Sequence, residues 1–291
     1  MKFGLFAINY GSCADPDTSV RVARHAEAAG FDSVWTGEHV VLPDPQPAGF
    51  SLPPTLPLLD TIVSLGFLAA STSTITLASG IIVLPYRNPV VLAKELASID
   101  VVANGRLIVG VGAGYRAEEF GAIGVPMAGR GDRMDDYIDA MRALWSMDHP
   151  RHSGPFVSFS GVAAHPRPLQ RPAPPIVVGG ESRAALRRAV TKGNGWYGFG
   201  LGPSLARQCI EAISQLAKEY ERPPELGELE LTITPVGPLD PGVAEHYEQL
   251  GVHRLVLLPQ PDAGREHRHA PVPVERILRN IDTVAETIIH A

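Results

Sequence analysis

Short apolar runs rich in β-branched residues alternate along this chain with stretches of helical periodicity, and glycine or polar steps separate them. The longest run covers 75–84 and is stopped by Pro85. Asn88-Pro89 then predicts a helix start, because Asn caps well and Pro needs no donor at the first helical position. Val90, Ala93, Leu96 and Ala97 form that helix's apolar stripe. Asn104-Gly105 ends it, with Gly supplying left-handed backbone. The next strand, 106–111, is too apolar to carry a polar face, and it runs into Gly112-Ala113-Gly114. Strand, crossover helix and strand of this length make a right-handed parallel unit. Strands apolar on both faces belong to a barrel or a doubly wound sheet.

The same rhythm continues on either side. A first strand over 3–9 precedes a helix capped by Asp17, with Val22, Ala23, Ala26 and Ala29 on one face and Gly30 at its end. A strand over 33–36 leads into Gly37-Glu38-His39. Pro43, Pro45, Pro47, Pro53, Pro54 and Pro57 follow, and so many fixed φ angles forbid a regular element there. Such a long loop suits a lid. A short helix spans 60–70. Beyond Gly114 the pattern predicts a single turn at 118–121 and a helix over 132–147, striped by Met134, Tyr137, Ile138, Met141, Leu144 and Trp145. An irregular arm over 152–175 has a hairpin near 156–159. Strands at 175–178, 195–197, 230–235 and 254–258 then alternate with helices at 183–192, 203–220, 242–250 and 274–289. Eight strands alternating with helices predict an α/β fold, a (β/α)8 TIM-like barrel in one domain over 1–291, with an insertion after strand four at about 115–174.

Composition narrows the function. A formal net charge of −6 argues against nucleic acid, whose binders carry basic patches. No apolar run approaches the ~20 residues of a membrane helix. The apolar start breaks at Asn9 without a small-residue cleavage site, so it reads as a strand and not as a signal peptide. Cys13 and Cys209 are the two cysteines, far apart and in no metal-like spacing, which suits a reducing cytoplasm.

In such barrels the chemistry sits at the carboxyl ends of the strands. Those ends carry Glu38-His39, Ser79-Gly80, Gly112-Ala113-Gly114, Gly179-Gly180-Glu181-Ser182 and Trp196-Tyr197. The glycine pair at 179–180, with Glu181-Ser182 and a helix behind it, presents amides at a helix start and so predicts an anion site; the plainer alternative is a tight turn. Residues 110–115 imitate a dinucleotide fingerprint, but Tyr115 stands where the third glycine belongs. A glycine cluster there would let a flat ring approach backbone. His39 is the candidate proton-transfer group, against the alternative of a strand-end histidine bonded to a carbonyl. Glu38 is its neighbour in sequence only, since adjacent strand residues point to opposite faces. His149, His152, His165, His267 and His269 are read as loop residues with neither helical pairing nor a carboxylate companion, so no metal is expected. There is no Gly-x-Ser-x-Gly elbow of a serine hydrolase.

Taken together, these stretches resemble the bacterial-luciferase-like monooxygenase superfamily, most closely the branch that uses the deazaflavin coenzyme F420. The resemblance lies in residues 31–39, 75–90, 94–100 and 105–114, then in Glu118-Glu119-Phe120, 129–133, 174–180 and 193–196. It covers residues 1 to about 200 well and the last third weakly. It implies a barrel of the bacterial-luciferase type and a non-prolyl cis peptide at Gly80-Ile81, facing the cofactor ring beside Ser79. It implies a cofactor phosphate on Gly179, Gly180, Glu181 and Ser182, with Trp196 nearby. It implies Glu38 and His39 at the reactive edge and Gly112, Ala113, Gly114 and Tyr115 opposite. The implied activity is hydride transfer between F420 and a small-molecule substrate, in a homodimer. The alternatives are an FMN-dependent two-component monooxygenase and a non-catalytic flavin- or deazaflavin-binding protein. The family's sugar-phosphate dehydrogenases carry a glutamate in place of Tyr115 and a lysine where this chain reads Gly198-Phe199-Gly200-Leu201-Gly202, so a phosphorylated sugar is not expected.

Overall fold

The computed structural model describes residues 1–47, 52–259 and 272–291. Its strands are β1 (Lys2–Leu5), β2 (Ser33–Thr36), β3 (Thr76–Ser79), β4 (Ile82–Val83), β5 (Leu107–Gly112), β6 (His152–Ser153), β7 (Ser158–Phe159), β8 (Ile176–Gly179), β9 (Gly195–Leu201), β10 (Glu230–Pro235) and β11 (Arg254–Leu257). The ring runs β1-β2-β3-β5-β8-β9-β10-β11 and returns to β1, with parallel pairing throughout. It is therefore a closed eight-stranded barrel. β4 lies outside the ring, paired to the far end of β5, and β6 and β7 form a separate antiparallel hairpin.

The helices are α1 (Pro16–Ala28), α2 (Thr61–Ser71), α3 (Pro89–Val102), α4 (Ala117–Ala122), α5 (Arg130–Ser146), α6 (Arg183–Lys192), α7 (Pro203–Glu219), α8 (Pro241–Gln249) and α9 (Val274–Val284). Alternation along each strand divides the apolar residues into two layers. Val34, Leu77, Val109, Val178, Trp196 and Leu255 pack outward against the helices. Trp35, Ala78, Ile108, Val177, Tyr197 and Val256 fill the barrel with Phe6 and Ala7. Gly4 makes room for the largest of these, since a Cβ there would lie 2.8 Å from Trp35 Nε1. Below the Trp35 indole, Arg254 closes the barrel floor. Its Nε donates to Asp32 at 2.9 Å, its Nη1 to Glu230, and its guanidinium lies 5.8 Å from the indole centre.

Several local expectations are corrected. Asp15, not Asp17, caps α1: its carboxylate accepts from Thr18 N at 2.9 Å, and Pro16 takes the first helical position. The run 75–84 is two strands and a 3-10 turn, broken at the cis peptide Gly80-Ile81. The turn at 118–121 is a complete short helix, α4. The predicted insertion contains a barrel helix, because α5 packs between α3 and α6. The closing helix ends in a wider π turn at Ala285–Ile289. His152 stands on β6 and has a carboxylate companion, its Nε2 lying 2.7 Å from Asp136 Oδ1. His267 and His269 lie outside the described residues.

The barrel closes where β3 meets β5, and that seam is tight. Ser79 Oγ donates to Gly110 O and accepts from Gly110 N, both at 2.8 Å. A Cβ on Gly110 would sit 1.8 Å from Ser79 O, a backbone atom that cannot swing away. Gly110→Ala should therefore lower stability by about 3 kcal/mol or more, the upper end for overpacking. Chemical denaturation of both proteins checks this; equal midpoints and slopes would show that the seam yields.

Candidate functional site

The ends of β2, β3, β5 and β8 stand side by side, because these strands pair in that order. Asn9 links β1 to this rim: its Nδ2 donates to Gly37 O and Leu59 O at 2.9 and 2.7 Å, and its Oδ1 accepts from Gly37 N. Gly37 thereby holds Glu38 and His39 in place, and the two side chains do different things.

Glu38 is almost entirely buried. Its carboxylate accepts from Val83 N and from Arg87 Nη2, each at 2.6 Å. Arg87 also reaches Asp60 at 2.7 Å, and Asp60 caps α2 through Ile62 N and Val63 N. Burial pushes the Glu38 carboxyl up, against the pull of Arg87 and of the Val83 amide. Glu38 thus pins β4 and the α2 cap to the end of β2.

His39 meets a different carboxylate. Its Nδ1 lies 3.0 Å from Glu119 Oε2, with the two side chains 13% and 2% exposed. Glu119 Oε1 accepts from Val40 N at 3.0 Å, and the Tyr86 hydroxyl approaches Oε2 at 3.4 Å. Glu119 projects from α4, which Phe120 anchors edge-on against Tyr86 with ring centres 4.7 Å apart. Tyr115 is 60% exposed at the rim, its ring 6.4 Å from the imidazole and edge-on to it. The Arg116 guanidinium lies 4.8 Å from the Tyr115 ring centre.

The glycines serve the chain's own packing. Gly80 is crowded by Phe6, Thr36 O and Trp35, all 3.0–3.2 Å from where a Cβ would be. At Gly112 and Gly179 the room left by the missing side chain is filled by Ile81, whose atoms would lie 2.5 and 3.0 Å from an added Cβ. Ala113 packs, half-buried, against the outer core, and Gly114 turns at φ +78 against Val83 and Phe120. The Ser79 hydroxyl is committed to Gly110. Ile81, half-buried, packs against the inner core, as do Tyr10 and Leu258. Phe199, 39% exposed, stacks tilted on Phe6 with centres 5.0 Å apart.

On the β8 side, Gly180 takes φ +115, donates its N–H to Tyr197 O at 3.2 Å and accepts from Trp196 Nε1 at 2.8 Å. Trp196 itself is buried in the outer layer, so it braces this loop while Tyr197 faces the barrel interior. Ser182 caps α6 by accepting from Ala185 N at 3.2 Å. The amides of Arg183 and Ala184 are then first-turn donors that the helix itself cannot pair. Glu181 is exposed beside them, and partial burial raises its carboxyl. Among the described residues no cluster of three metal-ligating side chains occurs, and no helix is long and apolar enough to cross a membrane.

Sequence reasoning singled out His39 and Glu38 and missed the residues that hold them. Glu119 stood in a run read as a bare turn, and Arg87 stood in the link before Asn88-Pro89. Removing Arg87 isolates the buried Glu38 carboxylate. Arg87→Met should cost about 3 kcal/mol at neutral pH. Glu38 binds its proton more tightly folded than unfolded, so folding takes up a proton between its ordinary range and its raised value. Stability of the variant should accordingly fall as pH rises through that window, and the deficit should shrink on acidification. Denaturation midpoints of both proteins across the acid range check it; a pH-independent deficit would show that Glu38 is not the cause.

Comparisons with known proteins bear on this geometry. A family model described as luciferase-like monooxygenase matches residues 1–269. An uncharacterized protein of Mycobacterium tuberculosis is 34% identical over 187 residues, 62% of this chain and 66% of the relative. The oxygenase component of a flavin-dependent trigonelline monooxygenase from Acinetobacter baylyi is 30% identical over 202 residues, 66% of this chain and 52% of that protein. The chain's matches thus span between half and two thirds of these relatives' lengths. Among solved structures, an F420-dependent secondary alcohol dehydrogenase in complex with an F420-acetone adduct superposes with a TM-score of 0.79, at 18% identity, over 99% of this chain and 98% of that one. The closed barrel and the match along nearly its whole length lead to one conclusion: the chain belongs to the luciferase-like monooxygenase family.

Proposed function

We propose that this protein is an oxidoreductase that exchanges a hydride between the deazaflavin coenzyme F420 and a small organic alcohol or carbonyl compound. The observation that carries the reading is His39, held against the buried Glu119 at the carboxyl end of the barrel. Interconverting a hydroxyl and a carbonyl needs one group that gives or takes a proton, and an imidazole suits neutral pH.

In this reading the rim takes a flat ring with an anionic tail. Tyr115 and Phe199 offer exposed aromatic surface there. Gly180, bare of a side chain, leads directly onto the first turn of α6. In this reading Gly179, Gly180, Glu181 and Ser182 hold the phosphate on their amides, and Trp196 steadies them. Ser79, Gly80 and Ile81 support one face of the ring, with Gly112 packed behind Ile81, and Tyr115 borders the opposite side. When bound, F420 supplies two-electron hydride chemistry. His39 moves the substrate's proton, and Glu38 keeps the β2 end rigid beneath it.

A second reading replaces the deazaflavin with reduced FMN and makes the protein a monooxygenase. The flavin-dependent Acinetobacter relative, at 30% identity, favours it. Titration of the purified protein with F420 and with FMN separates the two. The expected result is tighter binding of F420, with turnover of an alcohol or carbonyl panel that His39→Ala lowers by about 100-fold or more while binding persists. Tighter binding of FMN overturns the cofactor assignment. Binding of F420 without turnover of any acceptor would point to a carrier and not an enzyme.

The working unit in this reading is a homodimer, and two buried free thiols, Cys13 and Cys209, suit a reducing cytoplasm. Val63 and Phe67, one turn apart on α2, are 66% and 42% exposed, and Val91 and Val102 on α3 are 56% and 58% exposed. A second copy would cover such an apolar face. Sedimentation equilibrium should return twice the chain mass, and Phe67→Lys should halve it; a monomeric parent protein rejects the dimer.

A further inference from the structure

We infer that Glu119 is a positioning residue that keeps the proton of neutral His39 on Nδ1, so that Nε2 is the ring nitrogen that exchanges a proton with substrate. This rests on the reading of His39 as the proton-transfer group. Which nitrogen of an imidazole carries the proton is set by what the other atom bonds. Here Nδ1 faces a carboxylate oxygen at 3.0 Å, and an ionised carboxylate can only accept. A proton on Nε2 alone would leave two lone pairs in contact.

The carboxylate is itself fixed in place. Oε1 is held by Val40 N, the amide of the residue directly after His39. One carboxyl group thus grips both the backbone and the ring of the 39–40 segment. At 2% exposure the side chain has no room to rotate away into water. The Tyr86 hydroxyl, on the same oxygen as His39, is kept a donor, because burial and the Glu119 charge raise its phenol well above the usual range. When Nε2 accepts a proton from a substrate hydroxyl, the imidazolium formed stands directly against Glu119, which stabilises that charge. Helix α4 supplies this partner from outside the ring of barrel helices, so the proton-transfer group is completed by the segment that follows β5.

Nitrogen-15 spectra of the full-length chain, labelled at histidine and assigned with His39→Asn, read the tautomer directly. In the parent protein, at a pH where the ring is neutral, the proton should be on Nδ1. In Glu119→Gln the amide can donate to Nδ1, so the proton should move to Nε2. Turnover should fall about 100-fold or more with little change in KM, as expected when an imidazole is held in the wrong tautomer. A parent ring protonated on Nε2 overturns the inference without any variant, and so does a tautomer unchanged by Glu119→Gln. If the tautomer switches but turnover survives in both Glu119→Gln and His39→Ala, the reading of His39 as the proton carrier is what fails, and the assignment of Nε2 to the reaction falls with it.

Discussion

Closure of the barrel depends on one backbone contact. The Ser79 carbonyl lies where any side chain at position 110 would begin, and the Ser79 hydroxyl completes the join by bonding both the amide and the carbonyl of Gly110. Chains with a Cβ at that position could not bring β3 and β5 together at this spacing. From the join everything above follows in order. Ile81 is carried over Gly112 and Gly179, Val83 reaches the Glu38 carboxylate, and the ends of four adjacent strands face one opening.

Charge is buried at both ends of the barrel, and in each case it is satisfied in the same way. At the floor Arg254 lies between Asp32 and Glu230; at the rim Arg87 lies between Glu38 and Asp60. An arginine fork can bridge two carboxylates, which a lysine point charge does less well. Each bridge spans segments far apart in sequence, 222 residues in the case of Arg254 and Asp32. These pairs are weak sources of net stability, but breaking one leaves an isolated buried charge. They act as registration points for the strands they connect.

Much of the fold was legible in the sequence because the barrel strands are apolar on both faces and the helices carry strong start signals. Asn88-Pro89 predicted the start of α3 to the residue, and α6 and β10 lie where the periodicity placed them. Asp15 was overlooked in favour of Asp17 because both precede the apolar stripe, and only the Thr18 amide distinguishes them. The barrel helix α5 was read as part of an insertion because irregular chain flanks it on both sides. At the site, positions near strand ends were readable, but partners were not. Glu119 lies 80 residues from His39, and a carboxylate at the third position of a six-residue helix has no local pattern to mark it. The glycines of 110–114 suggested close approach of a ring, and the sequence could not show that the Ile81 side chain packs against both Gly112 and Gly179.

The short helix that bears Glu119 divides the rim into two independently exchangeable halves. The glycine turn at 179–180 joins β8 to α6, elements of the barrel itself. The carboxylate behind the imidazole comes from a six-residue element appended to it. Replacing that appended piece could retune the surroundings of the imidazole while the turn between β8 and α6 stays as it is, so descendants of one barrel can diversify by trading a few dozen atoms at its edge.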